Sequence, residues 1–312
     1  MAQLPELAKP VTKITVRLRN KAFFAALLGG AAFWFSTQPN NLDPALVAAL
    51  TGDPVNGAQV FAVAGCASCH MAKGAKGDAR LLLGGGQEFV TPFGTFIAPN
   101  ISSDATGIGD WSNYDFANAV IRGVSPSGQH YYPAFPYSSY IRMTVADAVD
   151  LKAYMDTLPP VAQVNPGHDL PLPFRLRRGL GLWKILFLKD KNISETIETR
   201  GQYLVEGLGH CAECHSPRNM LGGTDTSRWL AGAPNPNGKG RIPNITPHTD
   251  GIADWSIEDL AYYFETGFTP EFDTAGSTMV AVIENLSQLP AEDRLAMARY
   301  LKSIPALPNA PK

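Results

Sequence analysis

All four cysteines of the 312-residue chain lie in two copies of one short motif. The motif is Cys-x-x-Cys-His, written CASCH at residues 66–70 and CAECH at residues 211–215. Two thiols at this spacing share one face of a helical turn and can bond the two vinyl groups of a heme, while the next residue offers an imidazole nitrogen to the iron. We therefore predict two covalently bound heme c groups, attached through Cys66, Cys69, Cys211 and Cys214 and ligated by His70 and His215.

The two motifs belong to a long internal repeat. Residues 100–112 (NISSDATGIGDWS) and 244–256 (NITPHTDGIADWS) share seven of thirteen residues. The cysteine motifs upstream, and LKAYMDTLPP (151–160) and MARYLKSIPA (297–306) downstream, align at separations of 144 to 146 residues. Three collinear matches indicate a duplicated domain with one cysteine motif in each copy.

Three other uses of paired cysteines fit this repeat less well. A zinc site with four cysteine ligands would leave both adjacent histidines unexplained, and it would join both pairs in one site rather than repeat one pair per copy. A thioredoxin-type redox motif requires a βαβ context, which the sequence lacks. Structural disulfides are unusual at this spacing. Covalent heme attachment remains the preferred interpretation.

The repeat has the pattern of short helices joined by long loops. Apolar residues at helical spacing follow DWS in both copies, with Ser112 and Ser256 as predicted N-caps and Gly123 and Gly267 as predicted helix ends. Further helices are predicted to run into each cysteine motif and to close each copy. No stretch of the sequence shows sustained two-residue alternation, so the predicted fold class is all-α with long loops.

The sixth iron ligand has to come from a residue far along the chain, and methionine is a common choice. Met143 and Met279 each lie in a turn segment between the helix after DWS and the closing helix. Met155 and Met297 align with leucines of the other copy, as expected of core residues. We predict Met143 and Met279 as iron ligands; the alternatives are that they are buried apolar residues, or that a histidine provides the sixth ligand.

Composition excludes several classes of protein. The formal net charge is −2, and charged residues make up only 17% of the chain, so the clustered basic residues of a nucleic-acid-binding protein are not expected. Four cysteines are too few for a disulfide-rich scaffold. The 29 glycines and 25 prolines indicate many tight turns.

The N-terminus resembles a membrane-targeting segment. Five basic residues and one acid occupy residues 1–21, and residues 22–42 carry no charge. Aromatic residues at 33–35 occupy the place where a signal peptidase site would lie, which favours an uncleaved anchor over a cleaved signal peptide or a buried soluble helix. Because basic flanks stay in the cytoplasm, we predict a single-pass anchor in the inner membrane with the heme domains in the periplasm.

The connector between the two copies mixes basic and apolar residues. Residues 166–189 match neither copy, and they include Arg175, Arg177, Arg178 and Lys184. We favour a helix packed between the heme domains over a membrane-surface helix or a docking face. The predicted divisions are a basic cytoplasmic tail (1–21), a transmembrane anchor (22–42), a linker (43–53), a first heme domain (54–161), the connector (162–198) and a second heme domain (199–312).

Several motifs carry a resemblance to a known family: CASCH, APNISSDATGIGDW, YPAFPYSSYIRMT, AYMDTLPPV, CAECHSPRN and RIPNITPHTDGIADWS. Residues 50–310 resemble the diheme cytochrome c family, which includes the cytochrome subunits of periplasmic alcohol and sugar-acid dehydrogenases. The resemblance implies two tandem class I-like cytochrome c domains, here preceded by one N-terminal transmembrane helix. Many members have three heme domains, whereas this chain has two motifs. Some relatives carry Met where Phe135 stands, so the change to AFPY makes Met143 the natural first ligand.

The resemblance also implies residues that surround the hemes. In cytochrome c-like proteins a proline carbonyl before asparagine often accepts the second ring N–H of the ligating histidine. An indole N–H at the heme edge can reach a propionate, and Arg80 and Arg122 are weaker candidates for the same role. The predicted residues are Pro99, Asn100 and Trp111 in the first domain, and Pro243, Asn244 and Trp255 in the second.

The predicted function is electron transfer by a membrane-anchored periplasmic diheme cytochrome c. Electrons would come from a quinol-oxidising complex or a periplasmic dehydrogenase and pass to a terminal oxidase or a soluble cytochrome. One alternative is a permanent cytochrome subunit of a periplasmic dehydrogenase complex. A less favoured alternative is a diheme peroxidase-type enzyme, which needs an iron with an open sixth position.

Overall fold

A computed structural model describes residues 11–188, 199–235 and 240–310 and separates the chain into two compact units, Met1–Gln38 and Pro39–Lys312. The first unit contains helix α1, Val11–Ser36. From residue 19 to the end of α1 its side chains are exposed.

The predicted transmembrane anchor at 22–42, and with it the single-pass location in the inner membrane, is wrong. Within the described ranges, no helix combines the length and the apolar character that a bilayer crossing demands. Basic residues extend to Lys21, so the uncharged part of α1 runs only from 22 to 36. At about 1.5 Å per residue this part is roughly 22 Å long, against about 30 Å of hydrocarbon.

The first copy of the repeat, which we call the first domain, lies in the second unit and consists of short helices and one hairpin. A 3₁₀ turn, Gly77–Leu81, follows the cysteine motif. Helix α2 (Ala45–Ala48) lies in the preceding linker. The elements of the first domain are α3 (Pro54–Ala64), α4 (Cys66–His70), β1 (Glu88–Thr91), β2 (Gly94–Ile97), α5 (Asn113–Arg122), α6 (Tyr137–Tyr140) and α7 (Val145–Met155).

The connector and the second copy of the repeat, which we call the second domain, follow. The connector has a 3₁₀ turn, Arg177–Gly179, that leads into α8, Leu180–Phe187. The second domain consists of α9 (Arg200–Gln202) with a π-helical turn (Tyr203–Leu208), α10 (Ala212–His215), a 3₁₀ turn (Thr226–Arg228), β3 (Ala233–Pro234), β4 (Arg241–Ile242), α11 (Ile257–Thr266), α12 (Met279–Leu286) and α13 (Ala291–Ser303).

Each domain adds a small antiparallel hairpin that the all-α prediction did not include. Strands β1 and β2 pair with Glu88 opposite Ile97, and β3 and β4 pair with Ala233 opposite Ile242. These strands are two to four residues long, too short to show a two-residue alternation in the sequence.

The helices after DWS begin and end where the sequence predicts. Ser112 and Ser256 accept hydrogen bonds from the N3 amides of α5 and α11, and the Asp at N3 completes a capping box in each. Gly123 and Gly267 end these helices with φ of 60° and 78°, a left-handed conformation that glycine adopts without strain. The predicted caps and ends are confirmed.

A close helix crossing builds the core of each domain. Helix α3 crosses α7, and a Cβ on Gly57 would lie 2.0 Å from the Asp150 carbonyl oxygen. In the second domain a Cβ on Gly201 would lie 2.0 Å from the Ala296 oxygen of α13. Only glycine permits backbones to approach this closely, so the two crossings are equivalent.

One continuous apolar cluster runs through both domains. Met155 and Met297 are buried in it, at 2% and 1% exposure. Their burial agrees with their interpretation as packing residues.

Candidate heme-binding sites

The two motif histidines are held in the same way. His70 Nδ1 lies 2.8 Å from the Pro99 carbonyl oxygen, and His215 Nδ1 lies 2.7 Å from that of Pro243. A carbonyl can only accept, so Nδ1 carries the proton in both rings and Nε2 keeps its lone pair for a metal. Burial lowers the pKa of both histidines, although the carbonyl bond opposes this effect, and a low pKa favours the neutral, ligating form.

The four thiols are unpaired and fit thioether formation. Cys66 and Cys211 are half-buried and Cys69 and Cys214 exposed, and no disulfide joins them. Burial raises the pKa of Cys66 and of Cys211 to about 12. In the part of the chain that the structure describes, no three His, Cys, Asp or Glu side chains are grouped to hold a metal ion.

The two predicted methionine ligands each lie between the helix after DWS and the closing helix of their domain, but not at matching positions. Met143 is 4% exposed and lies between α6 and α7, and Met279 is half-buried and opens α12. Phe135, which stands where some relatives have methionine, packs among the rings of Tyr131, Tyr137 and Tyr140. Ligation of iron by Met143 and Met279 stays a prediction.

The asparagines after the prolines hold the loops that carry the histidine acceptors. Asn100 is buried and its amide donates to the Val161 carbonyl at 2.7 Å. Asn244 is buried and its amide donates to the Leu307 carbonyl at 2.8 Å. In both cases the chain beyond the closing helix fastens the Pro-Asn loop, so these side chains position the proline carbonyl rather than point to a ligand.

Trp111 and Trp255 are half-buried at the edge of the core. The ring of Trp255 packs edge-on against Tyr263 with centroids 5.3 Å apart. Their predicted contact with heme remains untested. Arg80, a candidate for the same role, directs Nη1 to Glu284 at 3.0 Å and Nη2 to Asn285 at 2.9 Å. Its guanidinium tip therefore bonds the other domain.

Sequence reasoning missed Trp229. Its indole N–H is buried and, among the described residues, meets no hydrogen-bond acceptor. A buried donor without an acceptor costs roughly 1–3 kcal/mol, and a heme propionate would satisfy it. Because RWLAG (228–232) aligns with LLLGG (81–85) in the repeat, the replacement of a leucine by tryptophan was a signal. Together with the free thiols and oriented histidines, this orphan N–H fits a heme.

The motifs of the two domains dock on each other reciprocally. The residue before the second cysteine is Ser68 in one motif and Glu213 in the other. Asn285 of the second domain donates to Ser68 Oγ at 3.0 Å, and Ser138 of the first donates to Glu213 Oε1 at 2.7 Å. The donors come from α12 and α6, which are equivalent segments.

An extra residue in the second copy strengthens this interface. The repeat separation is 144 at Gly57 and Gly201 but 145 at the cysteines. The π-helical turn Tyr203–Leu208 accommodates the added residue and places Glu206 against the first domain. Glu206 faces Arg142 Nε at 3.4 Å and also accepts from the Tyr300 hydroxyl.

Residues 54–159 match the cytochrome c family. A diheme cytochrome c-type protein from Cereibacter sphaeroides is 51% identical over 287 residues, covering 90% of this chain and 96% of that protein. The fructose dehydrogenase cytochrome subunit of Gluconobacter japonicus is 39% identical over 78% of this chain and 51% of its own length. The gluconate 2-dehydrogenase cytochrome c subunit of Pantoea cypripedii is 37% identical over 83% and 62%.

The chain thus spans most of one relative but only about half to two thirds of the dehydrogenase subunits. The predicted family resemblance and the predicted pair of covalent hemes are confirmed. With the oriented histidines and free thiols of both domains, the chain belongs to the diheme c-type cytochromes and carries two covalently bound heme c groups.

Proposed function

We propose that this diheme cytochrome carries electrons from a dehydrogenase to a terminal oxidase or a soluble cytochrome. The observation that supports this most is the reciprocal docking of two equivalent sites, with Ser68 bonded to Asn285 and Glu213 to Ser138. A rigid pair of redox sites suits transfer of single electrons through the molecule. We propose that the heme domains lie in the periplasm, where two thioether bonds per heme prevent its loss.

The protein's own residues supply attachment and orientation. Bound heme c supplies one-electron redox chemistry at iron. The four cysteine thiols would hold it covalently, and His70 and His215 would offer Nε2 because the Pro99 and Pro243 carbonyls retain the proton at Nδ1. Met143 and Met279 would close the sixth positions, and the Trp229 N–H would bind a propionate of the second heme. Closed irons favour electron transfer over peroxidase chemistry.

The names of the relatives favour one particular donor. Two of them are cytochrome subunits of fructose and gluconate dehydrogenases. We propose a dehydrogenase as the electron donor, with this chain as its carrier or its permanent subunit. Affinity purification of the chain from solubilised cells distinguishes these two: one stoichiometric dehydrogenase favours the subunit, and free cytochrome favours the carrier.

A redox-titrated absorption spectrum tests the proposal. Methionine ligation gives a far-red sulfur-to-iron band in the oxidised protein, so Met143→Ala and Met279→Ala should each remove the contribution of one heme. Met297→Leu is the matched control, because Met297 is buried in the core, and it should leave the band unchanged. If both alanine variants keep the full band, the ligand assignment is wrong. Rapid turnover of hydrogen peroxide by the reduced protein would contradict the electron-transfer proposal and favour a diheme peroxidase-type enzyme.

A further inference from the structure

The second domain has an exposed aromatic groove between α11 and the loop that leads from α11 to α12. The groove has a volume of about 360 Å³. Its aromatic residues are Tyr262, Phe268 and Phe272, which are 55%, 45% and 89% exposed. Asp259, Thr269 and Pro270 complete the lining. We call these six residues the aromatic groove.

At the equivalent place in the first domain, the aligned residues are buried or glycine. At the repeat separation of 144 residues, Asn118 aligns with Tyr262 and Val124 aligns with Phe268. Asn118 and Val124 are both buried. Gly128 aligns with Phe272, and the φ angles of the two residues are similar, 75° at Gly128 and 61° at Phe272. A bulky side chain at positive φ costs roughly 1–2 kcal/mol. Packing does not compensate for this strain, since the Phe272 ring is in solvent, so the residue points to a binding role.

The groove lies in a strongly acidic region. Residues 242–293 contain ten Asp and Glu and no Lys or Arg. Asp259 lines the groove, and Glu271 and Asp273 flank Phe272 in the sequence. Elsewhere in this region acids pair with arginines from outside it, as Glu265 does with Arg294 and Asp293 with Arg200. An apolar centre with a negative rim is complementary to an apolar centre with a positive rim.

The loop also continues to the predicted iron ligand of this domain. Met279 begins α12 at the end of this loop, and the next residue, Val280, is 44% exposed. In the first domain the connector covers the equivalent loop: Tyr132 donates to the Phe174 carbonyl at 2.9 Å, and Arg177 to that of His130 at 3.2 Å. The second domain therefore presents to solvent a surface that the first domain keeps covered.

We propose that the aromatic groove is the docking surface for a basic redox protein, one that presents lysine and arginine side chains around an apolar centre. This inference rests on the proposed electron-transfer function and assigns one protein partner to the second domain. Phe272 would be the central anchor, because exposed aromatic residues in the middle of an interface carry much of its binding energy. Glu271 and the other acids would steer the encounter and make it depend on salt.

Calorimetric titration of the heme-loaded protein with lysine-rich mitochondrial cytochrome c, at low ionic strength, tests the groove. Phe272→Gly gives the second domain the glycine that the first domain has at this position, and it removes both the aromatic ring and the backbone strain. The variant should fold normally and raise the Kd about tenfold. Glu271→Gln should flatten the dependence of Kd on salt. Met220→Ala is the exposure control, since Met220 is 96% exposed outside the groove, and Asp78→Asn is the charge control. Both controls should bind as the unmodified protein does.

Two further measurements separate the possible failures. Reduction by ascorbate and oxidation by ferricyanide should proceed equally in all variants; failure of the unmodified protein here would overturn the proposed function itself. With those reactions intact, an unchanged Kd in Phe272→Gly overturns the docking proposal alone. A concentration-dependent dimer in analytical ultracentrifugation that Phe272→Gly abolishes would also overturn it, because the groove would then bind the basic connector of a second copy.

Discussion

The first and second heme domains share one scaffold but differ in what surrounds it. Both have the glycine crossing, the capping box and the histidine–proline bond at matching positions. The connector packs on the first domain, where Lys184 donates to the Arg122 and Gly123 carbonyls at 2.6 and 2.9 Å. It also reaches the second domain, where Trp183 donates to the Leu221 carbonyl at 2.9 Å.

This difference separates what heme binding requires from what the assembly requires. The features that repeat are those that position the motif, and each copy needs them equally. The features that do not repeat, namely the connector, the π-helical turn and the aromatic groove, lie at contacts with another domain or at the surface. A duplicated domain can change at these places because the heme site does not depend on them.

The largest effect is expected at the helix crossings. Gly57→Ala and Gly201→Ala each place a methyl group within van der Waals overlap of a backbone carbonyl, which should cost about 3 kcal/mol in the free energy of unfolding. Thermal unfolding should show losses of similar size in the two variants. Gly179→Ala is the control, because a Cβ there meets no atom within 4 Å. A large loss in only one variant would show that the crossings are not equivalent.

The interface of the π-helical turn should have the next largest effect. Glu206→Gln leaves the Arg142 guanidinium, 20% exposed, without its carboxylate partner, and we expect about 2 kcal/mol of lost stability. Urea unfolding measures this loss, and the domains should separate into two transitions once their coupling weakens. Glu292→Gln, at an exposed position of α13, should change neither property. A single unshifted transition in Glu206→Gln would mean that the turn does not join the domains.

Release of the connector should have a smaller effect. Lys184 satisfies two carbonyls at the end of α5 and lies 4.6 Å from the centre of the Tyr137 ring. Lys184→Met should lower stability by about 1 kcal/mol and speed proteolysis within residues 166–188. Lys73→Met, at an exposed position, should leave the cleavage rate unchanged. Unchanged cleavage in Lys184→Met as well would mean that other contacts hold the connector.

The smallest effect concerns pH. His210, at the equivalent of Gly65, packs against Tyr140 with ring centroids 5.6 Å apart, and burial lowers its pKa below the ordinary 6.5. Below pH 6.5 His210 therefore binds a proton in the unfolded chain but stays neutral in the folded chain. The free energy of unfolding is at its full value above pH 6.5 and falls as the pH drops below 6.5. Asparagine tolerates the φ of 40° at this position. His210→Asn should therefore make the free energy of unfolding depend less on pH below 6.5. An equally steep curve would place the acid sensitivity at other groups.

The sequence alone was sufficient for everything that depends on local pattern and repetition. The cysteine motifs predict heme attachment because thioether geometry needs only adjacent turns of one helix. Ser112 and Ser256 predict helix starts because capping involves residues three apart. The predicted anchor is wrong because its apolar helical segment is too short. Residues 22–36 are apolar, but the charge at Lys21 limits the segment to fewer residues than a bilayer crossing requires.

Only the tertiary structure brought distant residues together. Asn285 meets Ser68, and Glu206 meets Arg142, across separations that no periodicity reports. Likewise, whether Phe272 is buried or exposed depends on which loops the connector covers, and the connector matches neither copy of the repeat. Functional motifs formed by residues close together in the sequence can therefore be predicted from the sequence. The contact between the two domains and the surface that stays exposed for a partner depend instead on packing between segments far apart in the sequence.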